Sequence, residues 1–462
     1  MTADTPRRAL PALRSKEQPT TAGKGVPLRS RFSWLTAPLL AVPLLATPLL
    51  VAAGCSTEEI YGIPAPEDCS IEAQNAFAYQ LMTEAYLWND FVPDEILPED
   101  YDSPNALVRD LRYAEFDIWS SVGDLVTVEA YYEEGVVVGY GFSAQFTEED
   151  RLTLASVDEE SPAGEAGLKR GDQIIGFNGK SLQELIETNG FQEAFGPQEP
   201  GIELTVQRLS STGEEEELIL IKDEYPLVTV PTAELIDTDD GPVGHLVFSN
   251  FLEPSTEELD QAFELFQTAQ VEQLVIDFRY NGGGRLSVAE YLLNLIVGAD
   301  ASGQVAYSLE HNQNLQDADT STLFSSEAFS LQGVEEIVFI TSPSTASASE
   351  LVVNALEPYL DVMVVGTPSA GKPVGSAAWQ FCDKIAQPIT FRIVNSEGEG
   401  DYFDGLPVDC SAPDDVSKEL FDPEEASLQA ALALLDDAPC PDFSDVGEGG
   451  EQEPEPEQEA AE

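Results

Sequence analysis

A serine stands at a strand–helix junction where its hydroxyl could act as a nucleophile. The segment from Glu336 to Tyr359 predicts a strand, a turn of small hydroxyl residues and a helix that opens near Ser347. The first N–H groups of a helix lack carbonyl partners and carry the positive end of the helix dipole, so they could stabilise an oxyanion. Serine is also a common helix-capping residue, and this segment alone favours a structural cap.

A second segment supplies accessible backbone amides. From Val271 to Gly284 an apolar strand runs into three consecutive glycines that precede another predicted helix. Glycines allow positive φ and leave N–H groups accessible, as a loop that donates to an oxyanion requires. A phosphate-binding loop would use glycines similarly, but the Lys-Ser/Thr ending of a P-loop is missing.

A lysine ends a third loop, in a chain where basic residues are scarce. Lys372 follows the small-residue run from Val365 to Gly371. A lysine can act as a general base only when burial or neighbouring structure lowers its pKa.

Together these segments resemble the carboxyl-terminal processing (tail-specific) serine proteases. The runs that carry the resemblance are Thr345–Glu350 (TASASE), Asp277–Gly284 (DFRYNGGG) and Gly371–Lys372. In that family the middle serine of the first run is the nucleophile, and a lysine 25 residues later is the base. Lys372 follows Ser347 by 25 residues. Each run alone is weak, but the joint match is specific.

The resemblance implies a role for each matched residue. Lys372, neutral in a desolvated site, would take the proton from Ser347 as the serine attacks a peptide carbonyl, and an acyl-enzyme would follow. The oxyanion would be held by the N–H of Ala348 and by one from the glycine turn, with Gly283 as the first candidate.

One position departs from the better-known family pattern, which has a glutamine four residues beyond the lysine to orient it. This sequence has Ser376 there. Gln380, Gln387 or Ser376 itself could take that role, and the sequence does not choose among them.

Residues 135–222 predict a small, mostly-β domain, because short alternating apolar runs are separated by Gly, Pro and acidic turns. Gly139–Phe142 resembles the carboxylate-binding loop of PDZ domains, and Ser161–Gly179 matches their central segment. The resemblance implies that a peptide adds as a strand to a sheet edge while backbone N–H groups hold its terminal carboxylate. The implied peptide-binding residues are Tyr140, Gly141 and Phe142. A PDZ-like domain that only gates the protease is the alternative.

The histidines offer a different base. His245 lies in an apolar strand and His311 in a polar loop, and neither occupies a catalytic position of the family. A Ser–His esterase is therefore the weakest functional hypothesis. Asp277 and Arg279 flank the glycine turn, and we expect their charges to fix it.

The net charge of −64 excludes some partners. Seven of the 21 Lys and Arg residues but only two of the 85 acidic residues fall within positions 1–54, so the remainder is more acidic still. Such a surface repels nucleic acid and anionic membranes.

The N-terminus predicts export. Basic residues between positions 7 and 31 precede an uncharged run over 32–57, and the small residues before Cys55 resemble a bacterial lipoprotein cleavage box. The expected product is a membrane-anchored lipoprotein with lipid on Cys55, facing the periplasm or the cell exterior, after removal of a signal peptide over 1–54. Ser56 would suit an outer membrane where the source has two membranes. An ordinary cleaved signal with Cys55 unmodified is the alternative.

Four further cysteines predict two disulfides in an oxidising compartment. Three pairings are possible, and we favour Cys382 with Cys410, which bracket a strand-rich segment, leaving Cys69 with Cys440. The sequence contains no Cys-x-x-Cys motif, so it gives no support for a zinc site, and no cofactor is expected.

The chain is expected to be α/β, and the resemblance implies a crotonase-like or ClpP-like protease core. Core strands are predicted at His245–Phe248, Gln273–Phe278, Glu336–Ile340 and Val362–Val365, with helices near 256–269, 286–297 and 348–358. The predicted divisions are a helical N-terminal region (55–134), the inserted PDZ-like domain (135–222), the serine protease core (223–435) and an acidic disordered tail (436–462).

These features predict a serine endopeptidase that cuts exported proteins near their free C-termini without metal or nucleotide. The main rival is a protease-derived scaffold that binds peptides and has lost efficient chemistry, a hypothesis favoured by Ser376 at the glutamine position.

Overall fold

The computed structural model describes residues 61–443, apart from 67, 94, 149–150, 210–214 and 240. The predicted signal peptide and Cys55 lie outside the described residues. Within the described ranges, no helix is both long enough and apolar enough to cross a membrane.

The N-terminal region is helical, as predicted, and it shares its core with the protease domain. Its elements are α1 (Ile71–Glu84), α2 (Pro104–Leu111), β1 (Ser121–Asp124) and α3 (Leu125–Glu129), with 3₁₀ turns at Asn89–Phe91 and Pro98–Asp100 and a π-helical turn at Ala130–Glu134. Ser70 and Ser103 cap the first two helices by accepting backbone N–H groups. Phe77, Tyr86 and Trp88 pack in one buried cluster with Trp379 and Phe381, which come from a hairpin some 300 residues later.

The PDZ-like domain follows from β2 to β9. Its elements are β2 (Val136–Gly139), β3 (Phe142–Glu148), β4 (Arg151–Val157), α4 (Pro162–Glu165), β5 (Gln173–Phe177), β6 (Lys180–Ser181), α5 (Leu182–Thr188), α6 (Phe191–Phe195), β7 (Glu203–Leu209), β8 (Glu215–Ile221) and β9 (Asp223–Pro226). The main sheet has the order β3-β4-β5-β7-β8, and β2 pairs with β9. Strand β3 therefore lies at a sheet edge.

The protease core contains the predicted alternation of strands and helices. Its elements are β10 (Thr232–Thr238), β11 (Gly241–Val247), α7 (Ser255–Ala269), β12 (Gln273–Asp277), α8 (Leu286–Ala301), β13 (Val305–His311), β14 (Thr320–Leu323), β15 (Glu336–Thr341), α9 (Ala348–Leu356), β16 (Asp361–Gly366), β17 (Val374–Ser376), β18 (Trp379–Phe381), β19 (Lys384–Gln387), β20 (Ile389–Asn395), β21 (Cys410–Ser411) and α10 (Ala426–Leu435). A 3₁₀ turn lies at Gln316–Ala318.

The central sheet has the order β10-β11-β12-β15-β16-β21 and is parallel from β11 onward. Helices α7, α8 and α9 pack on one face and α10 on the other, so both faces are buried, as is usual for a parallel sheet. Two antiparallel sheets flank it, with orders β14-β13-β20-β17 and β1-β19-β18.

The predicted disulfide pairing is wrong. Cys69 is bonded to Cys382, and Cys410 to Cys440. Cys382 lies in the turn between β18 and β19, which packs on the N-terminal region, whereas Cys410 begins strand β21 at the edge of the central sheet. Cys382 and Cys410 bracket one strand-rich segment, but they do not meet. The segment runs from the β1-β19-β18 sheet to the central sheet, so its two ends lie in different sheets.

The predicted start of the disordered tail, at residue 436, is too early in the chain. Cys440 is held by its disulfide, and Phe443 packs against the cluster around α10. The chain is thus ordered to residue 443, and the remainder of the predicted tail lies outside the described residues.

Candidate active site

Three loops converge at the carboxyl edge of the central sheet. They follow the adjacent parallel strands β12, β15 and β16, whose carboxyl ends meet at one edge. The loops are Phe278–Gly284, Ser342–Ser347 and Thr367–Lys372. Thr345 Oγ1 donates to the carbonyl of Phe278 at 2.8 Å, and Ser349 Oγ donates to the carbonyl of Asn281 at 2.9 Å. Buried hydroxyl groups therefore attach the serine loop to the glycine turn.

Ser347 is the residue before α9, and its backbone is strained. Its φ of 58° and ψ of −113° are rare for a residue with a side chain. Strain of this kind persists where surrounding contacts enforce it, and it is common at functional sites. The prediction of a helix opening near Ser347 is confirmed.

Glu350 connects the serine loop to the lysine loop. Its buried carboxylate accepts from the Ser347 N–H at 2.8 Å and the Lys372 N–H at 2.9 Å, both through Oε2. Its Oε1 accepts from the Gly371 N–H at 2.7 Å and from Ser369 Oγ at 2.6 Å. Burial raises the pKa of Glu350, although these four donors oppose that rise. Glu350 thus brings the backbones of Ser347 and Lys372 to one oxygen atom.

The Lys372 amine is desolvated, as a lysine that acts as a general base requires. Burial lowers its pKa to about 8, against the opposing charges of Glu350 and Asp117. Its Nζ lies 5.3 Å from the centre of the Trp119 ring. Among the described residues it has no hydrogen-bond partner, so it is not bonded to the Ser347 hydroxyl in this structure.

None of the three residues considered for orienting Lys372 has a hydrogen bond to its amine. Ser376 pairs with Ile389 in the β17–β20 ladder, and Gln380 donates to Glu129. Gln387 lies in β19 opposite Ser121.

Gly283 lies against the predicted nucleophile. A Cβ built on it would lie 2.8 Å from Ser347 Cβ and 2.9 Å from Ala348 N, and its φ is +100°. Only glycine fits here without displacement. The Gly283 N–H donates to Asn281 Oδ1 at 2.9 Å, whereas no acceptor for the Ala348 N–H occurs in the described part of the chain. Gly283 could serve an oxyanion only by exchanging its bond to Asn281.

As expected, the charged residues beside the glycine turn fix its conformation. Their ion pairs also extend to the PDZ-like domain. The buried Arg279 bonds to Asp277, Glu425 and Asp414. Asp414 also accepts from Arg170 of the PDZ-like domain at 2.6 Å. Sequence reasoning missed this network, because its members are far apart in the chain.

Arg170 also contacts the glycine loop directly. Its Nη1 donates to Tyr280 Oη at 2.7 Å, and the Tyr280 hydroxyl donates in turn to Asp414. The PDZ-like domain is therefore hydrogen-bonded to the segment that carries Gly283.

The predicted peptide-binding residues lead into the edge strand β3 of the PDZ-like sheet, which begins at Phe142. The Gly141 φ is +82°, and a Cβ there would lie 1.9 Å from Ser161 Cβ, so glycine is required. The Tyr140 side chain is buried and donates to the Phe195 carbonyl at 3.2 Å, while the Phe142 ring lines a cleft. The buried Tyr140 side chain thus supports the loop from the interior of the domain.

A buried lysine lies beside this loop. Lys222 Nζ is 5.0 Å from the centre of the Tyr140 ring and donates to the Pro197 carbonyl and to Gln198 Oε1. Within the described ranges it has no acidic partner, and burial lowers its pKa. A buried cation without an anion is unusual in so acidic a chain.

One cleft of 4250 Å³ extends from the PDZ-like loop to the convergent loops. Its lining includes Tyr140, Phe142, Phe191, Lys222, Trp119, Gly282, Ala346 and Ala370. An extended peptide could lie along this cleft, between the PDZ-like domain and the convergent loops.

The histidines have other partners. His245 Nδ1 lies 3.2 Å from Glu234, and His311 lies between Tyr61 and Asp319. Neither contacts Ser347, and in the described part of the chain no cluster of three or more His, Cys, Asp or Glu residues could hold a metal ion.

Three family models match this chain. Residues 242–401 match peptidase family S41, residues 73–121 match the peptidase S41 N-terminal domain, and residues 153–208 match the PDZ domain. The segment that matches the PDZ domain thus lies between two segments that match S41 peptidases, in agreement with the fold.

The chain is similar to carboxy-terminal processing proteases. It is 30% identical over 233 residues to carboxy-terminal processing protease CtpB of Bacillus subtilis (strain 168), covering 50% of this chain and 46% of that protein. It is 29% identical over 255 residues to the Probable CtpA-like serine protease of Staphylococcus aureus (strain COL), covering 54% and 48%. The chain spans about half the length of these curated relatives.

A solved structure shares the fold. The chain superposes on an S41 protease structure from Bacteroides fragilis NCTC 9343 with a TM-score of 0.63 and 23% identity, covering 78% of this chain and 97% of that one.

Proposed function

We propose that the chain is an endopeptidase in which Ser347 attacks the peptide bond and Lys372 is the base. The observation that carries the proposal is the Glu350 carboxylate, whose Oε2 accepts both the Ser347 and the Lys372 N–H. The pKa of Lys372, lowered to about 8, makes part of the amine neutral near pH 7 and most of it neutral above pH 8. The amine takes the Ser347 proton during attack, the acyl-enzyme forms, and the proton passes to the leaving amine.

The developing oxyanion is held by the N–H of Ala348 at the start of α9 and by Gly283. Both groups lie beside Ser347, and the helix dipole favours negative charge there. Because Gly283 donates to Asn281 at rest, substrate binding must exchange that acceptor.

The experiment is cleavage of an unstructured peptide that ends in a free, apolar C-terminus. Ser347→Ala and Lys372→Ala should each abolish turnover while circular dichroism and thermal unfolding stay close to wild type. Cleavage unchanged in Ser347→Ala would refute the proposal.

We propose further that the PDZ domain captures the C-terminal tail of the substrate. The loop Tyr140–Phe142 leads into the edge strand β3, to which a peptide can add as a further strand. The unpaired cation of Lys222 beside the loop favours a free carboxylate over a neutral terminus. A peptide acid should bind at least tenfold more tightly than its C-terminal amide, and Lys222→Met should remove that preference. Equal binding of the peptide acid and the amide by the wild type would indicate that the domain only gates the protease and does not recognise a free C-terminus.

A binding scaffold with little chemistry is the second candidate. It is favoured by the Gly283 N–H that is already occupied and by a Lys372 amine without a hydrogen bond to Ser347. Tight binding of the peptide without any turnover would support it. Ser347-dependent turnover would exclude it.

We also propose that the substrates are exported proteins and that the enzyme is a lipoprotein attached through Cys55. The two disulfides support an oxidising compartment. Labelling with a tagged fatty acid should occur in the wild type and be lost in Cys55→Ala. Labelling that persists in this variant would contradict the proposal.

A further inference from the structure

In the part of the chain that the structure describes, no side chain orients the Lys372 amine by hydrogen bonding. Ser376, at the position where the resemblance expects glutamine, lies in the β17–β20 ladder. The group that does face the amine is the Trp119 ring, at 5.3 Å from its centre. Trp119 belongs to the N-terminal helical region, more than 250 residues from Lys372 in sequence.

A buried turn fixes the position of Trp119. The carboxylate of Asp117 accepts from the Trp119 N–H and the Ser120 N–H, both at 2.9 Å, through Oδ1. Its Oδ2 accepts from the Tyr86 hydroxyl at 2.7 Å, and Ser120 Oγ accepts from the Ile389 N–H at 2.9 Å. The turn is therefore attached both to the end of α1 and to β20, next to the strand that follows Lys372.

We propose that Trp119 is the positioning residue of Lys372, holding the amine against its indole face and excluding water from it. This inference rests on the proposed Ser347/Lys372 function. An aromatic face attracts the ammonium that forms when the base takes a proton, while its hydrocarbon edge keeps solvent from the neutral amine. The N-terminal region thereby completes the active site of the core domain.

Because nearby charges favour the protonated amine, the pKa of Lys372 depends on the exclusion of water. Glu350 from α9 and Asp117 from the N-terminal turn both favour the protonated amine, yet burial outweighs them. Trp119 is half-buried, lines the cleft and has its ring centre 5.3 Å from the amine, so its removal would open the amine to water from the cleft. A smaller residue would admit water and weaken the desolvation that opposes the two carboxylates, so the ammonium would be favoured more strongly.

The test compares Trp119→Ala, Trp119→Leu and Trp119→Phe with wild type in kcat/KM against pH. We expect the acidic limb of Trp119→Ala to move up by about one pH unit, giving about a tenfold loss at pH 7 that nearly disappears at pH 10. Trp119→Phe keeps a ring face and should remain within about threefold of wild type throughout. If Trp119→Ala fails to fold, Trp119→Leu tests the contribution of the ring. Its loss of kcat/KM should lie between the losses of the alanine and phenylalanine variants.

A matched control is Leu97→Ala, an exposed residue of the same region that should leave the profile unchanged. A loss independent of pH, or an acidic limb that does not move in Trp119→Ala and Trp119→Leu, would overturn the proposal.

A second measurement does not depend on turnover. Competitive labelling of lysine amines in a Ser347→Ala background reports the pKa of Lys372 directly, and it should rise in Trp119→Ala. If the wild type has no Ser347-dependent turnover, the proposed protease function fails on its own. If the wild type is active and the pKa of Lys372 does not rise, only the role of Trp119 fails.

Discussion

At the scale of single residues, the state of Lys372 is a balance of opposing effects. Two carboxylates, Glu350 and Asp117, favour its charged form, and desolvation favours the neutral one. Desolvation wins because an ammonium that loses water without a directly bonded anion is costly, whereas charges that it does not contact recover only part of that cost.

This balance predicts the pH dependence of activity. In the proposed mechanism only the neutral amine accepts the Ser347 proton, so kcat/KM should rise about tenfold per pH unit below the pKa of about 8 and level off above it. Stopped assays between pH 6 and pH 10 measure the limb. A limb near pH 6.5 that disappears in His245→Ala or His311→Ala would instead identify a histidine as the base.

Gly283 gives a second prediction at this scale. In Gly283→Ala the new methyl group would collide with Ser347 Cβ and with the Ala346 carbonyl, each at 2.8 Å. We expect activity to fall by about 100-fold or more, the typical cost of losing an oxyanion donor. Gly398→Ala is the control, because Gly398 also has positive φ but no neighbour within 4 Å. Similar activities in both variants would mean that strain alone, and not contact with Ser347, matters.

At the scale of elements, the N-terminal helices and the β18–β19 hairpin act as one unit. Trp379 and Phe381 of β18 are buried among the aromatic residues of the N-terminal region, and β1 pairs with β19. The Cys69–Cys382 disulfide joins the two segments across 313 residues. This unit positions Trp119 beside Lys372 in the candidate active site.

The two disulfides should therefore contribute unequally to stability. Cys69→Ala/Cys382→Ala should lower the free energy of unfolding by about 3–5 kcal/mol, because the bond closes a very long loop in the unfolded chain. Cys410→Ala/Cys440→Ala, with a separation of 30 residues, is the matched control and should cost less. Urea unfolding of both double variants measures the difference. Equal losses would contradict the loop-length argument.

At the scale of the whole molecule, the PDZ domain and the loops of the candidate active site share a hydrogen-bonded network. Arg170 bonds to Asp414 and Tyr280, and Asp414 bonds to the buried Arg279. The network is mostly shielded from water, so its bonds are stronger than surface ion pairs. It attaches the PDZ domain to the loop that carries Gly283.

Arg170→Met should therefore lower kcat at least tenfold while the affinity of the PDZ domain for the peptide stays within about threefold. The lost bonds loosen Tyr280 and Asp414 and leave a buried carboxylate with one partner fewer. Steady-state kinetics and peptide binding to the Ser347→Ala form measure the two effects. Arg208→Met is the control, because Arg208 pairs with Asp172 and Glu216 inside the PDZ domain. Equal effects on kcat in both variants would exclude coupling through this network.

The sequence by itself determined the elements and the local site pattern of this protein. The strands and helices of the core follow from apolar periodicity and glycine punctuation, and the predicted spans agree with β11, β12, β15, β16 and α7 to α9. Ser347 before a helix and three glycines after a strand are likewise local features. They are visible in sequence because backbone geometry at a turn depends on a few neighbouring residues.

The tertiary structure alone decided which distant residues meet. Neither the Cys69–Cys382 bond, nor Trp119 over Lys372, nor Arg170 against Tyr280 has a local signal, because each depends on how separate elements pack. Glu350 stood within the matched run, yet its link between two loops became visible only when both loops reached one edge of the sheet. Burial sets the charge state of Lys372, and burial is a property of the packed molecule and not of the residue.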